Sequence, residues 1–297
     1  MLIYYRLKYV HDLTRTEEVI RDYLSAHMEE CARMSQNELA ESTYASPSAI
    51  SRFVRKLGFD SYKQFQLQLV RETGDQPPRD AFVDYNFPFF WSNTDPQVAA
   101  NIAELYKDAV DRTLALISPE RLSRVVDLLY ECEFVDMYAV TNNVHTALNF
   151  QDKMLTIGRY VSVSIISQTQ KYKALASDSH HIGIVISYSG VTPEMVDIAK
   201  ILKKNNTPII FIGAVGNHEI ARMAEECLFV MDQEDVNVKI SYFASHIATQ
   251  YVLDCVFGCI FKKDYMENMD YHLNMYNTLD PRTRSEPEKK EKTRPDS

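Results

Sequence analysis

Apolar residues in the first 75 positions recur at helical spacing, and no stretch there alternates as a half-buried strand would. Val19, Ile20, Tyr23 and Leu24 put one stripe on a helix over residues 16–28. Ser35 opens a short helix carrying Leu39 and Ala40, and residues 42–45 form a tight bend. Ser46 is an N-cap residue with Pro47 at the first helical position, and behind them Ile50, Phe53, Val54 and Leu57 recur at i, i+3, i+4 and i+7. Gly58 stops that helix, and another runs from Tyr62 to Arg71. Short helix, bend and second helix in this order predict an all-α helix-turn-helix domain over residues 1–75.

The pattern changes at Asp95. Two helices, begun by Asp95-Pro96 and Ser118-Pro119, lead into alternating strands and helices. The strands expected are 134–140, 161–166, 182–187, 208–213 and 227–231, followed by a long helix over about 239–261. They are apolar throughout, as strands buried on both faces are. A five-stranded parallel sheet flanked by helices follows, giving an α/β domain over residues 95–265. Residues 76–94 lose periodicity and gather Pro, Asp and Asn, which marks a linker. Its Phe87, Phe89, Phe90 and Trp91 are too apolar to hang in solvent and are expected to pack on a domain or a second subunit. Residues 266–297 form an extension whose charged end, from Arg282, is expected to be disordered.

A chain of 297 residues exceeds one typical domain of roughly 100–200 residues. With 45% hydrophobic and 25% charged residues it has the composition of an ordinary globular protein. No apolar run approaches the roughly 20 residues of a membrane helix, and the opening MLIYYRLKYV lacks a signal core and a cleavage site, so a cytoplasmic protein with no membrane partner is expected. The five cysteines lack any CxxC pair, which argues against a disulfide framework and a zinc site. No metal and no cofactor are expected.

The net charge of −9 excludes a protein that coats nucleic acid over its whole surface, but it hides a basic segment. Residues 46–71 carry Arg52, Arg55, Lys56, Lys63 and Arg71 against the single acid Asp60. With Ile50, Phe53, Val54 and Leu57 turned inward, the opposite face of their helix presents Ser48, Ser51, Arg52, Arg55 and Lys56 beside the capping Ser46. Short hydroxyls near a helix start can approach base edges, and Arg or Lys can fork onto guanine or hold phosphates. These six residues are the expected contacts to double-stranded operator DNA.

In the second domain the stretch Ile184–Glu194 (IVISYSGVTPE) ends a buried strand at Ser187 and starts a helix at Thr192-Pro193. Ser187, Ser189 and Thr192, with free backbone N–H groups, gather at the positive end of a helix and suit a phosphate. Gly190 lets the backbone come close to a ligand.

The stretch from Ser35 to Leu69, with Glu38-Leu39-Ala40, Ser46, Ile50, Arg52-Phe53, Lys56-Leu57-Gly58-Phe59, Tyr62 and Phe65, closely resembles the DNA-binding domain of the RpiR family of bacterial regulators. Leu13-Thr14 and Thr16-Glu17 also fit, whereas Ala49 stands where the family often has Thr. Residues 95 to about 261 resemble the sugar isomerase (SIS) domain that follows this module in RpiR regulators. Its pattern Ser-x-Ser-Gly-x-Thr is intact as Ser187, Ser189, Gly190 and Thr192, while its glycine- and serine-rich first loop is replaced by Ala139-Val140-Thr141-Asn142-Asn143. The resemblance implies a homodimer or homotetramer that binds an operator, with a phosphorylated sugar as effector held by Asn142, Asn143, Ser187, Ser189, Gly190 and Thr192.

The rival is a phosphosugar isomerase whose N-terminal helices serve assembly. It needs a base and a proton relay at the sugar. His145, His218, Glu219 and His246 lie near loop ends but form no spaced constellation, and His180-His181 lack a third metal ligand. A binding domain without turnover is expected.

Overall fold

The computed structural model describes residues 3–73, 84–91 and 93–279. Helices α1 (Ile3–Tyr9), α2 (Arg15–Ala26), α3 (Met28–Cys31), α4 (Gln36–Ser42), α5 (Pro47–Lys56) and α6 (Tyr62–Thr73) come first. After α7 (Asp95–Leu116) and α8 (Pro119–Glu131) the chain alternates: β1 (Phe134–Ala139), α9 (Asn143–Leu155), β2 (Val161–Val163), α10 (Ser167–Ala176), β3 (His181–Ile186), α11 (Pro193–Lys204), β4 (Ile209–Ala214), α12 (Glu219–Met223) and β5 (Glu226–Val230). Two helices, α13 (Ala244–Lys263) and α14 (Tyr265–Leu279), follow. The described residues form two compact units, one from Met1–Asp108 with Gln233–Ala244 and the other from Ala109–Asp232 with Ser245–Ser297. The first half of the expected linker and the tail from Arg282 lie outside the described residues.

In the first unit, three helix starts are closed by side chains. Thr14 with Glu17 and Ser35 with Glu38 form capping boxes on α2 and α4, and the Ser46 hydroxyl accepts the Ala49 N–H of α5 at 3.2 Å. The stripe read from the sequence is the core: Ile20, Leu24, Leu39, Ile50, Phe53, Phe65 and Leu69 are fully buried together. Helix α1 was not expected, because seven residues carry too little periodicity. It is held by tertiary contacts: Ile3 and Leu7 enter the same core, and the Ile3 N–H reaches both carboxylate oxygens of Glu72 at 2.8 and 2.9 Å. Burial pushes the Glu72 carboxyl above the usual carboxylate range. Among the linker aromatics, Phe89 packs edge-on to Phe243 at 6.1 Å, whereas Trp91 stays 67% exposed.

The bend between α4 and α5 holds Tyr44 at φ 50°, in the left-handed region that a non-glycine residue occupies at a cost, and leaves its ring 98% exposed. The backbone is supported there by a Schellman cap on α4, in which the Ala45 N–H donates to the Ala40 carbonyl at 2.8 Å and the Tyr44 N–H to the Glu41 carbonyl at 3.2 Å, a position that glycine fills without the steric cost.

In the second unit the five strands are all parallel, in the order β2-β1-β3-β4-β5. Both faces are buried, as the unbroken apolar strands required: Tyr138, Val185 and Phe211 on one, Met137, Ile184 and Ile210 on the other. After β1 the chain adds β2 on one side, crosses over, and adds β3, β4 and β5 on the other. The order therefore reverses between β1 and β3, the place where open α/β sheets form their ligand crevice between the loops leaving the two strands.

Three expectations change. Strand β2 ends at Val163 rather than near residue 166, because the Gln170 carboxamide takes over its role. Gln170 accepts the Ala139 N–H at 3.1 Å and donates to the Ala139 and Ser164 carbonyls at 2.8 and 2.9 Å. Helix α13 starts at Ala244, not Lys239. Residues 233–243 form an irregular strap in which buried Glu234 accepts the Ala244 N–H at 2.8 Å and pairs with Lys239 at 2.7 Å. Contrary to the expectation that no apolar run approaches membrane-spanning length, α13 is long and apolar enough by length and composition, with 44% of that stretch buried. Its stripe of Ala248, Val252, Val256 and Ile260 is fully buried in the domain, which explains its composition.

Two outcomes are expected. Gln170→Leu leaves the Ala139 N–H and carbonyl unpaired and lowers stability in urea unfolding by about 2–4 kcal/mol. Tyr44→Gly relieves the left-handed residue and raises it by roughly 0.5–1 kcal/mol, visible as a later transition of the first unit.

Candidate functional site

Helix α5 exposes Ser46, Ser48, Arg52, Arg55 and Lys56 and half-buries Ser51. Four of the six are engaged within the domain. Gln36, at the first position of α4, donates to the Pro47 carbonyl at 2.6 Å and to the Ser51 hydroxyl at 2.9 Å, so it braces the start of α5 against α4. Lys56 reaches the Asp12 carbonyl at 2.5 Å and Glu17 at 3.1 Å. The Thr14 backbone N–H, ahead of Lys56, holds the Glu17 carboxyl below its usual range. Ser46 and Ser48 share a hydrogen bond of 2.9 Å. Arg52 and Arg55 make no hydrogen bond or ion pair among the described residues, and both guanidinium forks remain available to an anion. Sequence reasoning missed Gln36. The signal was a carboxamide opening the first helix of the pair, 15 residues before the serine it holds.

In the second unit the crevice is built from the chain leaving β1, β3 and β4 and from the first turn of α13. Ala139 of β1 lies opposite Ile186 of β3, so Thr141–Asn143 and Ser187–Thr192 emerge side by side. The Ser187 hydroxyl is buried and lies 3.0 Å from that of Thr192, which in turn is 3.4 Å from the Ser189 hydroxyl. Thr192 stands at the N-cap of α11 without capping it, because its oxygen is engaged with the two serines. The three hydroxyls thus form one cluster beside the open start of a helix, a setting for an anion.

Gly190 serves a purpose beyond close approach of a ligand. Its φ is 64°, and a Cβ there would stand 2.3 Å from the His218 ring. His218 fills that space and is held within its own loop after β4 by its Nε2, 3.1 Å from the Ala214 carbonyl, so its packing on Gly190 joins that loop to the one after β3. His218 is therefore a packing group of the crevice wall.

The first loop departs from a glycine-rich turn in residue type while keeping its backbone. Thr141 sits at φ 53°, a conformation suited to glycine and strained for a β-branched residue. Asn142 follows with helical angles and makes no cap bond to α9. Its Nδ2 lies instead 3.1 Å from His246 Nδ1 in α13, with the buried Thr146 hydroxyl 3.4 Å from the same nitrogen. Asn143 is the half-buried first residue of α9. Of the other candidate bases, His145 is exposed and Glu219 pairs with Lys200 at 2.9 Å. His181 pairs with Asp136 at 2.8 Å at the amino-terminal ends of the strands, away from the crevice. Among the described residues no group of three or more His, Cys, Asp or Glu side chains could hold a metal ion.

The family model described as the helix-turn-helix domain of the rpiR family matches residues 6–76, and that of the SIS domain matches residues 128–253. The chain thus joins an rpiR-family helix-turn-helix domain to a SIS domain. It is 25% identical over 270 residues to an uncharacterized HTH-type transcriptional regulator of Caldanaerobacter subterraneus subsp. tengcongensis, covering 91% of this chain and 93% of that protein. Its fold is similar to the Vibrio vulnificus NanR protein complexed with ManNAc-6P, at TM-score 0.58 and 18% identity over 94% of this chain and 98% of that one. The sugar isomerase domain of an RpiR transcription factor from Sphaerobacter thermophilus superposes at TM-score 0.55 and 14% identity, covering 62% of this chain and 99% of that one. Within the region matched by the SIS model, the hydroxyl cluster stands at the reversal of strand order.

Gly190→Ala should lower the melting temperature, because the added methyl meets His218 and the residue keeps a left-handed backbone. A loss of about 1–3 kcal/mol is expected, and Gly190→Ala with His218→Ala together should recover part of it.

Proposed function

We propose that the chain is a DNA-binding transcriptional regulator whose operator binding is modulated by a phosphorylated sugar held in its SIS domain, and that it controls genes of carbohydrate uptake or metabolism. The observation that carries this is the pairing, in one chain, of a helix face with two unengaged arginines and a hydroxyl cluster at the point where strand order reverses. The first suits a duplex and the second a phosphate. Ser46, Ser48, Ser51, Arg52, Arg55 and Lys56 form the DNA surface, with Arg52 and Arg55 as its principal contacts. Asn142, Asn143, Ser187, Ser189, Gly190 and Thr192 line the effector crevice. The protein works in the cytoplasm as a homodimer or homotetramer, because a palindromic operator requires paired helices. The DNA-binding domain spans residues 1–75, the linker 76–94 and the SIS domain 95–265.

The effector acts by binding one arrangement of the paired α5 helices more tightly than another, which by linkage changes operator affinity. Catalysis is not part of this function. His218 and His246, the histidines of the crevice, are each tied to a neighbouring group and serve the architecture.

A duplex selected from a random pool by the parent protein provides the probe. Arg52→Ala should weaken its binding by about 1–3 kcal/mol, and undiminished affinity would overturn the assignment of α5. Ser187→Ala should bind that duplex like the parent while losing the response to sugar phosphates. Product formation from a sugar phosphate at ordinary enzymatic rates would refute the regulator.

A further inference from the structure

We propose that His246 is a positioning residue that fixes the Asn142 carboxamide so that its oxygen faces the effector crevice, where it receives a hydroxyl of the sugar and not the phosphate. This rests on the effector function proposed for that crevice and divides the crevice into two ends. At one end the Ser187, Ser189 and Thr192 hydroxyls gather beside the start of α11 and can all donate to an anion. At the other end Asn142 is turned away from its own helix. Its backbone is helical, so the side chain does not fold back onto α9 as a capping asparagine does, and it reaches across to α13.

The carboxamide nitrogen can only donate, so His246 Nδ1 accepts from it at 3.1 Å and the ring carries its proton on Nε2. The Thr146 hydroxyl, buried 3.4 Å from the same nitrogen, holds the ring from a second side. One of its two N–H bonds is given to His246, which fixes the plane of the carboxamide and leaves its oxygen, without a hydrogen-bond partner among the described residues, to accept from a ligand. A phosphate oxygen beside it would meet like partial charge, whereas a sugar hydroxyl would donate to it. Ala139 and Ile186 stand opposite each other in the sheet, so the two ends flank one crevice and suit one molecule carrying both groups.

The test compares inorganic phosphate with the tightest binder among glucose 6-phosphate, fructose 6-phosphate, N-acetylmannosamine 6-phosphate and ribose 5-phosphate, by calorimetric titration of the full chain. The parent should bind that sugar phosphate more tightly than phosphate. His246→Phe should weaken sugar-phosphate binding about tenfold, the worth of one hydrogen bond, and leave phosphate binding within about twofold. His246→Asn, whose side-chain oxygen lies where Nδ1 was, should restore most of the loss. In an Asn142→Ala background the change from His246 to Phe should have no further effect.

Equal losses for both probes in His246→Phe, or an undiminished effect in the Asn142→Ala background, would overturn the proposal and leave the effector crevice standing. So would a parent that binds phosphate as tightly as every sugar phosphate. A parent that binds none of these probes would overturn the crevice itself. If His246→Phe fails to fold, His246→Asn carries the test: a sugar-phosphate affinity at the level of Asn142→Ala would refute the positioning role.

Discussion

The parallel pairing of β1 with β3 sets Ala139 opposite Ile186, and that register decides where both strands release the chain. Each strand end is followed by a loop and a helix start, so the register brings two sets of polar side chains to one level. Because β2 lies on the far side of β1 and β4 on the far side of β3, no helix is forced to cover the gap between the two loops. The Gln170 carboxamide keeps β1 straight to its last residue where β2 has already ended. Without that substitute, Ala139 would carry an unpaired buried N–H, and the loop after it would lose its footing.

Local preferences are overruled around this crevice. Thr141 adopts a backbone suited to glycine, Thr192 leaves its helix uncapped, and Asn142 looks across to α13. Thr192 is drawn to its neighbouring serines and Asn142 to His246, each in place of a bond to its own helix. Strain of this kind persists only where the surroundings over-determine it, and binding sites are where it collects. The His218 ring packed on Gly190 and the His246 ring holding Asn142 supply that determination on the two loops.

The first unit obeys a different constraint. There, local sequence and tertiary packing agree at nearly every position of α2, α4 and α5: caps close the helix starts and one stripe enters the core. That agreement leaves α5 one face for the core and one for the outside. The division among its basic residues is set by neighbours, since Lys56 meets Glu17 of α2 while Arg52 and Arg55 make no hydrogen bond or ion pair among the described residues. An operator contact through the arginines needs no internal ion pair to break.

Residue order alone determined the helices α2, α4 and α5, the five buried strands and the hydroxyl loop Ser187–Thr192, because caps, apolar spacing and turn residues act within a few positions along the chain. It did not reveal α1, the early end of β2 or the late start of α13, whose causes are side chains elsewhere in the chain: Glu72 for Ile3, Gln170 for Ala139, Glu234 for Ala244. Nor could it order the strands or join Asn142 to His246, 104 residues apart. Tertiary structure decided those matters, because a hydrogen bond across the fold leaves no periodic trace in the sequence of either partner.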